Sequence, residues 1–340
     1  MNIRIKYPKN VIDILIKFNS RFISNNSNYE TLGVWGNKLP LTVNVEQSVK
    51  QGYLIPRIDL EHAGLSTLQG RRCLNEDRML LKQISKNILL LALFDGHGAP
   101  SAADFAQHYI EDCVKFWLLK KHKDLKTVLT NSFHDCNNLM AHHFVFYGSV
   151  QSRQSGTTAT VALLRNNIEL VVGSVGDSRA ILCRSGTAMS LSTDDDPGNE
   201  SEQNRIYKCG GVITTNSLGV PVVNGRLGMT RSLGDFELKK YGVIANPHLY
   251  DIKISHAKDA FVILISDGIS YVMSNSEVVD SVSVCRDPRE AAKFVTDQAL
   301  QYGSEDNVSA IILPFGSWGK YAMNNTNLRP RFVMDKTRYD

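Results

Sequence analysis

A chain of 340 residues, 43% hydrophobic and 21% charged, has the composition of an ordinary globular protein, long enough for one large domain with extensions. Its net charge of +4 is confined to the start, where Arg4, Lys6, Lys9, Lys17 and Arg21 face only Asp13; the balanced remainder excludes a nucleic-acid-binding body built on a basic patch. Six cysteines (Cys73, Cys113, Cys136, Cys183, Cys209, Cys285) with no CxxC pair argue against zinc and for reduced, mostly buried thiols, and no apolar run reaches bilayer length.

Residues 1–28 are basic and nearly free of acid, and Val11, Ile14, Leu15, Phe18 and Phe22 fall on one helical face. This pattern fits a mitochondrial transit peptide and hence the matrix; a disordered basic leader on a cytoplasmic protein is the other reading. Residues 29–57 read as a loosely structured lead-in ending at Pro56. RIDLEHAG (57–64) is a strand candidate, and Ser66-Thr67 with Gln69-Gly70 mark a turn.

Strands are expected at 78–83 and 87–94, the second an unbroken apolar run, Ile88 to Phe94, that suits burial on both faces and stops at Asp95-Gly96-His97-Gly98. Helical spacing follows over 99–119 and 124–146, then a strand meander at 157–164, 168–175 and 179–184. Residues 190–235 form a long irregular insert holding one short helix candidate, 200–206; inserts of this kind are often functional. Strands at 248–254 and 261–266, helices at 275–284 and 288–302, a strand at 307–315 and a polar tail from 317 to 340 complete the chain. The order is α+β, compatible with stacked sheets flanked by paired helices.

Acidic residues recur at the ends of these strands: Asp95 and Asp267, each followed by glycine, Asp177 within Gly-Asp-Ser, Glu305-Asp306 before the last strand, and Glu76-Asp77 before the strand at 78. Any one Asp-Gly is more often a plain turn. If the five ends meet, the carboxylates are too costly to keep ionised without cations, and oxygen-only ligands favour Mg²⁺ or Mn²⁺. Other phosphate chemistries lack their marks: no cysteine is followed six residues later by arginine, and neither an Asn-His-Glu motif nor a P-loop is present.

GRRCLNEDR (70–78), LFDGHGAPSAADF (93–105), SGTTATVAL (155–163), VGSVGDSRAIL (172–182), GRLGMTRSLGD (225–235), ISDGI (265–269) and EDNVSAII (305–312) occur in that order. Together they resemble the signature stretches of the type 2C metal-dependent serine/threonine phosphatases over residues 58–316. TLGVWGN, NGRLGMTRSLGD and PFGSWGKY resemble mitochondrial members that act on the E1α subunit of the branched-chain α-keto-acid dehydrogenase complex. The resemblance implies a β-sandwich of two antiparallel sheets flanked by pairs of helices, and a phosphoprotein substrate hydrolysed at two metal ions by a metal-bridging hydroxide. It implies Asp95 as the bridging ligand, the Gly96 carbonyl as a further one, and Asp267, Asp306 and Glu76 completing the shells directly or through water. Arg72 would hold the phosphate and His97 would protonate the leaving oxygen. Asp77 would orient Glu76 or a bound water, and Asp177 is either a turn residue or a ligand of a weaker third ion.

The chain departs from the family pattern at three places. Tyr271 stands where a further acid helps to hold the third ion, which puts that ion in doubt; Asp195 replaces a histidine in the insert, and Ala99 replaces a glycine. The rival reading is a weak or dead phosphatase-fold protein that serves as a binding or regulatory module; its expected mark, loss of Asp95, Asp267 or Asp306, is missing.

Overall fold

A computed structural model describes residues 39, 41–120, 124–217 and 219–321. The basic leader at 1–28, the TLGVWGN stretch and most of 317–340 lie outside the described residues.

Alternation along the buried strands sets the layers. In β3 (Ile88–Phe94), Leu89, Leu91 and Leu93 belong to one buried cluster, while Leu90, Ala92 and Phe94 belong to another. β3 lies in an antiparallel sheet ordered β13-β7-β6-β3-β2, with β2 (Arg78–Ser85), β6 (Ala159–Arg165), β7 (Glu169–Val175) and β13 (His248–Lys253). The second sheet runs β1-β15-β14-β8-β9, made of β1 (Gly64–Leu68), β8 (Arg179–Arg184), β9 (Thr187–Ser190), β14 (Asp259–Ile265) and β15 (Val308–Pro314). Its β14 repeats the logic: Val262 and Leu264 join the cluster of Leu89, Leu91 and Leu93 between the sheets, while Phe261, Ile263 and Ile265 face outward.

Both outward faces are covered by helices, so antiparallel strands here carry the continuous apolar pattern more common in parallel sheets. The first sheet is covered by α2 (Ser101–Leu119) and α3 (Leu125–Tyr147), through Phe105, Ile110, Val128 and Phe133. The second is covered by α5 (Asn275–Ser283) and α6 (Pro288–Gln301), through Val278, Val282, Ala292 and Val295. Asp124, Ser274 and Asp287 cap α3, α5 and α6 at their starts, and Ser274 forms a reciprocal capping box with Glu277. This is the α+β sandwich with flanking helix pairs that the element order suggested.

Four expectations need correction. Residues 57–64 do not form a strand: Leu60–His62 is a 3₁₀ turn, and β1 begins only at Gly64 and continues through Ser66 and Thr67. A Cβ at Gly64 would lie 1.8 Å from the Pro288 carbonyl, so the chain enters the sheet where α6 leaves room for glycine alone. The lead-in is ordered over its later part: Val43 bridges to Pro56, Ile55 is fully buried, and α1 (Val45–Gln51) is capped by Asn44. Packing continues beyond 316, because Trp318 is buried edge-on against Phe261 and donates from Nε1 to the Arg286 carbonyl at 3.0 Å. The six cysteines are free, but only Cys113, Cys136 and Cys183 are buried.

The insert at 190–235 contains α4 (Glu200–Lys208) and a hairpin of β10 (Ile213–Thr215) and β11 (Pro221–Val223). Three two-residue strands, β4 (Gly96–His97), β5 (Gly156–Thr157) and β12 (Leu233–Gly234), make a small separate sheet. Among the described residues no helix is long and apolar enough to cross a membrane.

Candidate metal centre and active site

Antiparallel pairing puts the start of each strand beside the end of its neighbour. Arg78 pairs with Phe94, Ala159 with Val175, and Ile265 with both Ala310 and Arg179. The acidic residues just beyond these positions therefore collect at one end of the sandwich, with Glu76, Asp77, Asp95 and Asp177 from one sheet and Asp267 and Asp306 from the other.

The backbone around them is tightly fixed. Asp95 donates from its N–H to Thr158 Oγ1, and its carbonyl accepts from Thr157 Oγ1 and the Thr158 N–H, at 2.9–3.0 Å. Asn307 ties the remaining loops together: Nδ2 donates to the carbonyls of Gln69 (2.7 Å) and Leu74 (3.0 Å), and Oδ1 accepts from the Glu76 N–H at 2.9 Å. Two glycines permit the close approach, since a Cβ at Gly70 would meet the Asp306 carbonyl at 2.0 Å and one at Gly268 the Asn307 carbonyl at 2.1 Å.

The carboxylates of Asp95 and Asp267 are close neighbours, each altering the other's hold on a proton. Burial, then the charges of Asp267, Asp77 and Asp177, hold the Asp95 carboxyl well above the usual carboxylate range. Burial and Asp306 raise Asp267; burial also raises Glu76 and pushes Asp77 and Asp177 each up to about 7. Asp77 accepts from Ser309 Oγ at 2.6 Å through Oδ2, but its Oδ1 and that of Asp177 are buried with no hydrogen-bond partner.

These features answer whether the residues suit cations. Buried carboxylate oxygens left without donors, and two carboxylates pressed together, make a site short of positive charge. The donors are all oxygen, which fits hard divalent ions. A second grouping, Asp195, Glu202 and His248, brings ligand-type atoms within 4.8 Å of one another. It does not suit a cation: Glu202 already accepts from Arg231, Arg205 and Thr230, so an ion would face two guanidinium groups. Asp195, one of the departures, instead braces the insert. Its Oδ2 accepts from the Gly176 N–H at 2.8 Å, beside Asp177, and its Oδ1 lies 3.0 Å from His248 Nε2.

Arg72 is at the centre, but its Nη2 is 2.6 Å from Asp306 Oδ2. That ion pair, with burial opposing it, raises the Arg72 pKa. His97 is likewise present, with Nε2 at 2.9 Å from Asp235 Oδ2. Tyr271 is 90% exposed and adds no acid. Asn307 and Asp235 went unassigned in the sequence reading, although each lies in a quoted stretch, next to Asp306 and at the end of GRLGMTRSLGD. An acid closing a quoted stretch was the available signal for Asp235.

Comparison with known proteins places the whole domain. The sequence profile described as protein phosphatase 2C matches residues 61–308. The chain is 46% identical over 293 residues to protein phosphatase 1K, mitochondrial, of Xenopus laevis, covering 86% of this chain and 78% of that protein. It is 34% identical over 241 residues to probable protein phosphatase 2C 59 of Arabidopsis thaliana, covering 70% of this chain and 74% of that one. Among solved structures it superposes on a C. elegans sex determining protein with a TM-score of 0.68 at 25% identity, covering 76% of this chain and 65% of that one. It also superposes on a serine-threonine phosphatase 2C from Toxoplasma gondii with a TM-score of 0.66 at 20% identity, covering 74% and 94%, a likeness of fold.

Proposed function

Given that the chain belongs to the protein phosphatase 2C family, and is a metal-dependent protein-serine/threonine phosphatase, we propose that the cluster around Asp95 and Asp267 is its catalytic metal centre. The observation that carries this reading is the closeness of those two carboxylates, which come from different sheets and share a site poor in positive charge. Asp95, the Gly96 carbonyl, Asp267, Asp306 and Glu76 would hold two Mg²⁺ or Mn²⁺ ions, with Asp77 and Asp177 alongside. When bound, such ions supply Lewis acidity toward water and phosphate.

The chain's own residues do the rest. Asp306 would be among the residues that hold the ions, and Arg72, which now pairs with it, would present its planar fork to two phosphate oxygens. His97 gives a proton to the serine or threonine oxygen as the P–O bond breaks. The same reading takes 58–316, together with the packed residues that flank it, as the phosphatase domain and residues 1–28 as a presequence leading to the mitochondrial matrix. It takes the phosphorylated E1α subunit of branched-chain α-keto-acid dehydrogenase as substrate, supported by the resemblance of TLGVWGN and PFGSWGKY to the mitochondrial members.

Turnover of a phosphothreonine peptide with Mn²⁺ tests the centre: wild type should be active, EDTA should abolish activity and Asp267→Ala should be inactive, while equal near-zero rates would favour a binding module. Release of phosphate from phosphorylated E1α, against control phosphoproteins, tests the substrate. A fusion of residues 1–28 that stays in the cytosol would end the matrix assignment.

A further inference from the structure

His97 and Asp235 are 138 positions apart, yet three two-residue strands exist to bring them together. In this small sheet His97 pairs with Gly156, and Gly156 pairs with Gly234, the residue before Asp235. A Cβ on Gly156 would stand 2.1 Å from Asp235 Oδ2 and 2.4 Å from His97 Nε2, so the pair fits only over a residue with no side chain. Asp235 is 6% exposed and has a left-handed backbone with φ of +48°, a conformation that a non-glycine residue seldom adopts. Two hydrogen bonds hold it there: the Asp235 N–H donates to the Ser155 carbonyl at 3.0 Å, and the Gly234 N–H to Asn137 Oδ1 of α3 at 3.1 Å. Strain kept in place by a purpose-shaped cradle marks a residue with work to do.

We infer that Asp235 is the positioning residue for His97, holding its Nε2–H so that Nδ1 is the nitrogen presented to the leaving oxygen. This rests on the reading of His97 as proton donor. The P–O bonding pair goes to the serine or threonine oxygen, which takes the Nδ1 proton. The neutral imidazole left behind keeps its Nε2 proton on Asp235, so the carboxylate acts without touching phosphate.

The test compares Asp235→Asn, His97→Ala and the double variant in the full chain with Mn²⁺, on a phosphothreonine peptide and on p-nitrophenyl phosphate, whose leaving group needs no proton. Asp235→Asn should lower peptide turnover about 10²-fold while changing aryl phosphate turnover little, and the double variant should be no slower than His97→Ala. Gly156→Ala, which crowds the pair without removing either group, should give the same substrate-selective loss; thermal melts check that each variant folds. Wild-type peptide turnover in Asp235→Asn, equal loss on both substrates, or additivity with His97→Ala would overturn the inference. Equal loss on both substrates in His97→Ala would instead remove the acid itself, and the premise with it.

Discussion

Asp95, at the end of β3 in one sheet, and Asp267, just beyond β14 in the other, place their carboxylates side by side, each altering the other's hold on a proton. The edge of the sandwich core is thus closed by two like charges that only a proton or a cation reconciles.

Metal should therefore stabilise the fold as well as activate it. Asp77 and Asp177 are raised from 3.8 to about 7, so the native state binds protons more tightly than the unfolded chain does. Their contribution is fully present below pH 3.8 and is lost as pH rises through about 7. In EDTA the melting temperature should fall over that interval, and Mn²⁺ should remove the slope. Asp95→Asn should raise the metal-free melting temperature by about 2–4 °C while abolishing turnover. A metal-free melt that is flat with pH would contradict this.

The Arg72–Asp306 pair makes a second prediction. Arg72→Lys keeps the charge but loses the planar fork, so kcat/KM on a phosphopeptide should fall by about 10²-fold. Steady-state kinetics at saturating Mn²⁺ check it; an unchanged value would leave Arg72 as a structural partner of Asp306.

Asn307 ties the loop before β15 to the 69–77 loop through three hydrogen bonds of one side chain and is 6% exposed. Asn307→Ala should cost about 2–4 kcal/mol, from three lost hydrogen bonds and the groups left unpaired. It should also raise the Mn²⁺ concentration needed for half-maximal activity, because the backbones of Glu76 and Asp306 lose their common anchor. Urea denaturation and a metal titration measure the two effects separately.

His256 supplies a pH effect of opposite sign. It is buried, with Nε2 2.7 Å from the Asn167 carbonyl and Nδ1 accepting from the Gly316 N–H at 3.2 Å, an arrangement that fits the neutral ring. Burial lowers its pKa from 6.5 to about 4, so the unfolded chain binds the proton more readily. Stability from this site is full above pH 6.5 and declines as pH falls toward 4, by about 3 kcal/mol in all. Denaturant midpoints across that range should slope less in His256→Gln than in wild type.

Much of this protein could be read from the linear chain. Apolar runs such as 88–94 announce buried strands because burial on both faces needs no partner's identity, only the absence of polar residues. The acids at their ends were visible for the same reason, and the ordered stretches named the family. Local signals failed in two places: 57–64 looks like a strand but turns at Leu60–His62 and enters the sheet only at Gly64, and the two-residue strands β4, β5 and β12 are too short to show a period.

What the chain alone determined was which side chains could do chemistry and on which strands they sit. Only the tertiary structure decided their partners. Arg72 meets Asp306 across 234 positions and His97 meets Asp235 across 138, and sheet register, not sequence spacing, sets such distances. Periodicity reports the face a residue shows, whereas the group waiting on that face belongs to another part of the polypeptide.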